Sequence, residues 1–545
     1  MTDKLLPYQI DHVERLVYSL TSYNRALDAS DTGTGKTYTA IAVCKIFGFI
    51  PLIVCPKSVI DSWLKVLAFM ECEFFGIANY ESIQNCKYYN SDGKKVKTKF
   101  LTMEEINNKI VVKKNKQPNV IDLDDSTSSD EEIKYEYKWN KTEMPANIIV
   151  IVDEAHRCKN IKTNNGKILA RLSEIPDIKI LILSATVVDK PKFFMLTGYV
   201  LGLYSPYAMG KSWMKESGKT KQHNQNHNQN QNQNQNQNIM QGVHKKIYPE
   251  YASRMKISNS NIKTEFPDNH ITAECIQMDN SVEIQKQYEL IKAAAEELKN
   301  KETNSGNALA SILFARQRIE MLKIPAFIQL VKSHIDENKS VAIFVNFTDT
   351  LKNLAEKLQT KCLIYGEQSI EERVANIANF SNDTERIIIC NIKSGGCGIS
   401  LHDTIGNFPR VSIISPTWSA QDIIQVLGRI YRAKTKTKVQ QRIIFCSNTI
   451  EVDVCENLKE KISNISMLND GDVSAYKIVG LIEQIEPKEI IQDDVPIPEP
   501  IDNEFNNIFG KLTNLYERRD NLTKELNKIK VEIEETENRI YKSIS

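Results

Sequence analysis

Three short stretches of this 545-residue chain hold residues whose types and spacing could do chemistry on a phosphate. The first is "SDTGTGKT", Ser30 to Thr37, one letter away from the phosphate-loop pattern G-x-x-x-x-G-K-[ST], with Ser30 in place of the first glycine. Backbone N–H groups of Asp31, Thr32, Gly33, Thr34, Gly35, Lys36 and Thr37 would curl round a β-phosphate at a helix N-terminus. Lys36 would neutralise the β- and γ-phosphates, and Thr37 would ligate Mg²⁺. The second is "IIVIVDEAH", where an apolar run puts Asp153 at the carboxyl end of a buried strand, the place ligands occupy in open α/β sheets. Asp153 would hold Mg²⁺ through water. Glu154 would orient and deprotonate an attacking water, which implies hydrolysis of the nucleotide. The third is "QVLGRIYR", in which Gln425, Arg429 and Arg432 are spaced to share one helix face. An arginine brought across a cleft to the γ-phosphate acts as an arginine finger, worth ~10³–10⁵ in rate. Two domains sharing one nucleotide make a motor, because hydrolysis removes the γ-phosphate bridge and lets the cleft open.

These residues need a scaffold, and the apolar pattern supplies one. "GKTYTAIAVCKIFG" reads as a helix opening at the phosphate loop, with a weak strand, "NRALDAS", before it. "IPLIVCP", "NIIVIVDEA" and "IKILILSAT" are short apolar runs suited to buried parallel strands. The alternation returns in "SVAIFVNFTDTLKNLAEKL", "ERIIICNIKSG" and "RVSIISPTW", with "SAQDIIQVLGRIYR" as the following helix. This predicts two parallel-sheet α/β domains in tandem, over 1–250 and 310–475, joined by a helical connection over 251–309.

Polar segments interrupt this plan. Residues 90–143, which include "NVIDLDDSTSSDEE", read as a disordered insertion. Residues 218–242 hold the tract "HNQNHNQNQNQNQNQN", expected to be a floppy surface loop with no activity of its own. After a proline-bearing linker, 476–505, the heptad spacing from Ile508 to Ile540 predicts a coiled coil over 506–545, offering a protein partner or self-association through 508–540. A length of 545 residues exceeds one core. A net charge of +1 gives no global basic field, so any nucleic acid would bind in a local groove. The 11 cysteines form no C-x-x-C pair, which points to reduced thiols. The N-terminus lacks a signal-peptide core and no window approaches a membrane span, so an intracellular protein with no membrane partner is expected.

Taken together, the three stretches resemble the superfamily 2 helicases and translocases, which have two RecA-like domains. "LLPYQIDHVERL" is similar to their adenine-reading segment, implying that Gln9 contacts adenine. "LIVCPKSVIDSW", with Pro56 and Lys57, resembles motif Ia, and "SGGCGISL", with Ser394, Gly395, Gly396 and Gly398, resembles motif V; both imply nucleic-acid contacts. "DEAH" resembles motif II and "SAT" motif III, implying that His156, Ser184 and Thr186 couple the two domains. The spacing from Trp418 to Gln425 resembles Swi/Snf-type remodelling ATPases, although "SATV" and "RAKT" replace that family's T-G-T-P and R-I-G-Q. The Asn-, Ile- and Lys-rich composition is similar to helicase-like proteins of giant DNA viruses, which implies a viral factory or virion as a location besides cytoplasm or nucleus. The resemblance implies ATP and Mg²⁺ as cofactors and nucleic acid as partner, DNA favoured over RNA, with duplex tracking in the Swi/Snf manner. A DEAH-type RNA helicase and a nucleotide-gated scaffold are the alternatives. Finally, Val120–Leu123, followed by acids and serines, resembles a SUMO-interacting motif that would add a strand to a partner sheet.

Overall fold

A computed structural model describes residues 4–106, 134–219, 231–248, 250–300, 305–395 and 398–470. The coiled-coil segment, the linker before it, Val120–Leu123 and Gly396 lie outside the described residues.

Two sheets organise the chain. The first has eight strands in the order Ala252–Ser253, Arg25–Asp28, Lys179–Leu183, Ile148–Asp153, Ile50–Cys55, Gly76–Asn79, Lys87–Asn90 and Lys95–Lys97. Its first six strands are parallel, and the last two form an antiparallel hairpin at the edge. The second has six parallel strands in the order Asn269–Ile276, Val439–Cys446, Arg410–Ile414, Ser340–Val345, Ile387–Asn391 and Leu363–Ile364. This is the expected tandem of RecA-like α/β domains.

The apolar runs explain the layering. In Ile148–Asp153, Ile149 and Ile151 enter one core while Ile148, Val150 and Val152 enter the other. A strand apolar on both faces is stable only between two helical layers. Helices Lys36–Phe47 and Ile60–Met70 cover the first face, and Asn164–Ser173 and Pro191–Val200 cover the second. The second domain has a single large core in which helices Ile324–Asp336, Thr348–Leu358 and Ala420–Ile430 pack on the strands.

Four local features differ from the sequence reading. The expected helical connection 251–309 contains two strands besides its helix Ser281–Asn300: Ala252–Ser253 pairs with Arg25–Asp28, and Asn269–Ile276 is the edge of the second sheet. The first is two residues long, and the second mixes polar and apolar residues with only Ala273 and Glu274 buried, so neither shows an apolar run. The Asn/Gln tract is not wholly a loop, because Gln231–Ile247 is a helix. Its second half carries Met240, Val243 and Ile247, all fully buried, and docking of that half holds the polar first half in register. Within the expected insertion 90–143 lie the strands Lys95–Lys97, Leu101–Ile106 and Lys134–Trp139. Tyr88, Phe100 and Trp139 pin them, with ring centroids 5.0 Å apart for Tyr88–Phe100 and 5.8 Å for Phe100–Trp139. Lastly, helix Glu451–Asp470 leaves the second domain and returns to the first, where Met467 and Leu468 join its core.

Candidate active site

The strand Arg25–Asp28 feeds the phosphate loop, and the helix begins at Lys36 with Gly35 as its N-cap. Gly33 and Gly35 hold φ of +84° and +93°, a region that only glycine enters cheaply. A side chain at Gly35 would also overlap the Gln9 amide. Ser30 is buried, and its hydroxyl accepts the Met255 N–H at 2.9 Å, so the departure from the glycine pattern has a structural use. Asp28 beneath the loop pairs with His12 at 3.1 Å and accepts the Ser30 N–H at 2.9 Å. Burial pushes the Asp28 carboxyl up, but His12, Lys36 and Ser30 together hold it below the usual carboxylate range.

Lys36 donates to the carbonyls of Ser30 and Asp31 at 2.9 and 3.1 Å, folded along the loop it guards. Asp31 corrects the expectation that its amide faces phosphate. Its N–H donates to the Met255 carbonyl at 3.0 Å. Its carboxylate pairs with Arg254 at 2.6 Å and accepts the Ile257 N–H at 2.9 Å. That leaves the amides of Thr32 to Thr37 as the expected phosphate donors. Gln9 stands at the cleft, donating to the Thr34 carbonyl at 2.9 Å and accepting the Leu6 N–H at 2.9 Å, so its amide braces the loop.

Asp153 ends its strand, and Glu154 follows in the left-handed region at φ +54°. Asp153 accepts the Trp63 indole N–H and the Glu154 N–H, each at 2.9 Å. Burial, then the Glu154 charge, raises its carboxyl to about 7. The all-oxygen donors Thr37 and Asp153 suit a hard ion such as Mg²⁺. Among the described residues no group of three His, Cys, Asp or Glu forms a metal cage, so such an ion would lean on water and phosphate.

The second domain brings its own groups to this point. Gln425 donates to the Glu154 carboxylate at 3.1 Å across the seam and lies 3.4 Å from His156. His156 in turn sits 3.4 Å from the Ser184 hydroxyl. Gln421, which the sequence reading passed over, donates to the Thr186 carbonyl at 3.2 Å. The expected coupling residues thus form one chain from Glu154 to motif III. Arg429 and Arg432 converge on the Ile399 carbonyl at 3.2 and 2.8 Å. Burial, then Arg429, lowers Arg432 to about 9. The helix ends at Ile430, so Arg432 lies past its C-cap, not on the same helical face as Gln425 and Arg429. Both arginines and the phosphate loop line one cleft of about 720 Å³, a size that takes a nucleotide.

The seam is tight. A Cβ at Gly33 would approach Arg432 Cγ to 3.1 Å, and one at Gly428 would overlap the Thr32 side chain. Pro56 is buried and Lys57 exposed just beyond the strand Ile50–Cys55. Gly398, at φ +75°, packs so closely on Val59 that any side chain would collide, which joins the two segments expected to contact nucleic acid. The Ser394 carbonyl accepts from Arg373, and Gly395 ends a short helix. Sequence reasoning also missed Trp63 and Arg254, whose partners lie 90 and more than 200 residues away. It missed Asn464 and Asn469 too, which donate to the Asp189 and Ala185 carbonyls beside motif III at 3.2 and 2.8 Å.

The chain matches two protein families: "Type III restriction enzyme, res subunit" over residues 2–189, and "Helicase conserved C-terminal domain" over 322–434. It is 35% identical over 482 residues to the "Putative ATP-dependent RNA helicase L364" of Acanthamoeba polyphaga mimivirus, covering 87% of this chain and 85% of that protein. It is 21% identical over 504 residues to the "CHD3-type chromatin-remodeling factor PICKLE" of Arabidopsis thaliana, covering 84% of this chain and 34% of that one. Among solved structures, the Sulfolobus solfataricus SWI2/SNF2 ATPase core in complex with dsDNA is a distant likeness, with 17% identity, TM-score 0.31, and 86% and 94% of the two chains covered. Among the described residues no helix is long and apolar enough to cross a membrane. With its phosphate loop, DEAH acids and cross-cleft arginines in one site, and a mimivirus relative over most of its length, this chain is an ATP-hydrolysing member of the superfamily 2 helicases.

Proposed function

We propose that this chain is a nucleic-acid-stimulated ATPase that tracks along duplex DNA. The observation that carries the reading is the hydrogen bond from Gln425 to Glu154 across the seam. It makes the position of the water-activating carboxylate depend on the second domain being closed. In this mechanism the amides of Thr32 to Thr37 and the Lys36 ammonium bind the phosphates, while Thr37 and Asp153 would hold Mg²⁺, which would supply charge neutralisation. Glu154 orients the water and takes its proton. Gln425 and His156 fix the Glu154 carboxylate, and Arg429 and Arg432 stabilise charge on the phosphoryl oxygens. Nucleic acid lies along Pro56, Lys57, Ser394 and Gly398, and the close packing of Gly398 on Val59 makes the spacing of these two segments sensitive to closure.

The decisive measurement is the ATPase rate with no nucleic acid, single-stranded DNA, duplex DNA and RNA in parallel. Greatest stimulation by duplex DNA supports this reading. Stimulation by RNA alone would replace it with an RNA helicase, the activity in the mimivirus relative's name. No stimulation by any of them would favour the nucleotide-gated scaffold.

A further inference from the structure

The edge hairpin of the first sheet has no part in the nucleotide site. Lys87, Lys94, Lys95, Lys97 and Lys99 are all exposed on it, against one acid, Asp92. In a chain of net charge +1 this is a concentrated basic surface. None of the five lysines makes an ion pair among the described residues, and Lys95 lies over the Tyr89 ring at 5.5 Å. The register places Lys87 directly opposite Lys97. Two like charges facing each other across a strand pair weaken it. The fold withstands this because the other face of the hairpin is anchored: Tyr88 packs on Phe75 and Phe100, at 5.8 and 5.0 Å between ring centroids.

Position gives the basic surface its direction. Cys55 pairs with Asn79 at the carboxyl edge of the sheet. Continuing the register of the next strand pair sets Lys87 beside Asn79, and Lys97 beside Lys87. Lys97 is therefore three strand spacings, about 15 Å, along the edge from Cys55. Lys57, expected on the nucleic-acid path, follows Cys55 by two residues. We propose that the Lys87–Lys99 hairpin extends the nucleic-acid track sideways by contacting the phosphate backbone of the same duplex. The inference rests on the proposed function. The contact is rigid, charge-only and blind to sequence, as lysine–phosphate contacts are.

The test uses the full chain and a short DNA duplex, with binding followed by fluorescence anisotropy between about 50 and 200 mM salt. Lys87, Lys95 and Lys97 are changed together to Gln, and separately to Arg. Loss of three phosphate contacts should lower the slope of log K against log salt by about 2 to 3, so the fall in affinity over that salt range shrinks about 40-fold. The Arg variant should keep the wild-type slope, and both should keep the ATPase rate measured without nucleic acid. If the Gln variant loses that basal rate through misfolding, Lys97→Gln alone decides, with an expected slope loss of about 0.9. An unchanged slope in a wild type that binds duplex overturns the hairpin contact and leaves the proposed function standing. A Gln variant that binds normally but self-associates also overturns it, since the lysines would then only guard an exposed edge. A wild type that binds no nucleic acid overturns both.

Discussion

Gly428 gives the sharpest test of the closed cleft, because one methyl group should act with opposite signs on two observables. It lies inside the helix Ala420–Ile430, where alanine is the better helix former by ~0.8–1.0 kcal/mol. Judged from its own domain, Gly428→Ala should leave stability unchanged or raise it. Across the seam, the added Cβ would overlap the Thr32 side chain on the phosphate loop. Overpacking of this kind costs ~1–3 kcal/mol, and here the penalty falls only on the closed arrangement. The ATPase rate at saturating ATP should drop about 5- to 150-fold while thermal unfolding stays level or improves. Adding Thr32→Gly, which removes the opposing atoms, should recover part of the loss, and steady-state ATPase assays with differential scanning calorimetry read both quantities. A Gly428→Ala enzyme at full speed would show that turnover never passes through this contact. A rate loss with an equal loss of stability would reduce the effect to misfolding.

Three further outcomes follow from the same geometry. Glu154→Gln should bind ATP with normal affinity and not hydrolyse it, measured by nucleotide binding and single-turnover assays; ordinary turnover would refute its role with the water. Arg432→Ala should cost ~4–7 kcal/mol of barrier, the range of arginine fingers, and a mild effect would pass that role to Arg429. Arg254→Ala should leave the buried Asp31 and Asp470 carboxylates without their guanidinium and destabilise the protein by ~3–5 kcal/mol in denaturant titration. A loss below about 1 kcal/mol would mean that water already screens those charges.

What could be read from the sequence follows from where each residue finds its partners. Ile148–Asp153 and Ile50–Cys55 are buried on both faces, so their own letters declare them strands and place Asp153 at a strand end. Lys36, Thr37 and Glu154 sit in spacings that the chemistry itself dictates. The engagement of Asp31 is not legible in the sequence because the groups that claim it, Arg254, Met255 and Ile257, belong to a segment more than 200 residues away. Arg432 reads as helical because Tyr431 carries no glycine or proline signal where the helix stops. The hairpin strand Lys95–Lys97 reads as insertion because its residues are polar and it sits at the sheet edge, while its anchors Tyr88 and Phe100 lie on either side of it in the sequence.

The returning helix Glu451–Asp470 has a mechanical consequence. Lys461 still holds the Trp418 carbonyl of the second domain at 2.7 Å, while Asn464 already holds Asp189 of the first. Among the described residues the chain therefore crosses between the domains twice, once between Ser253 and Asn269 and once near these residues. Bodies joined by one strand can swivel about any axis through it. Bodies joined by two behave like a door on two hinge pins, with the line through both crossings as the easy axis. In the proposed motor, force made at the γ-phosphate would then be delivered as torque about that line, and the far rims of the two sheets would sweep the longest arc.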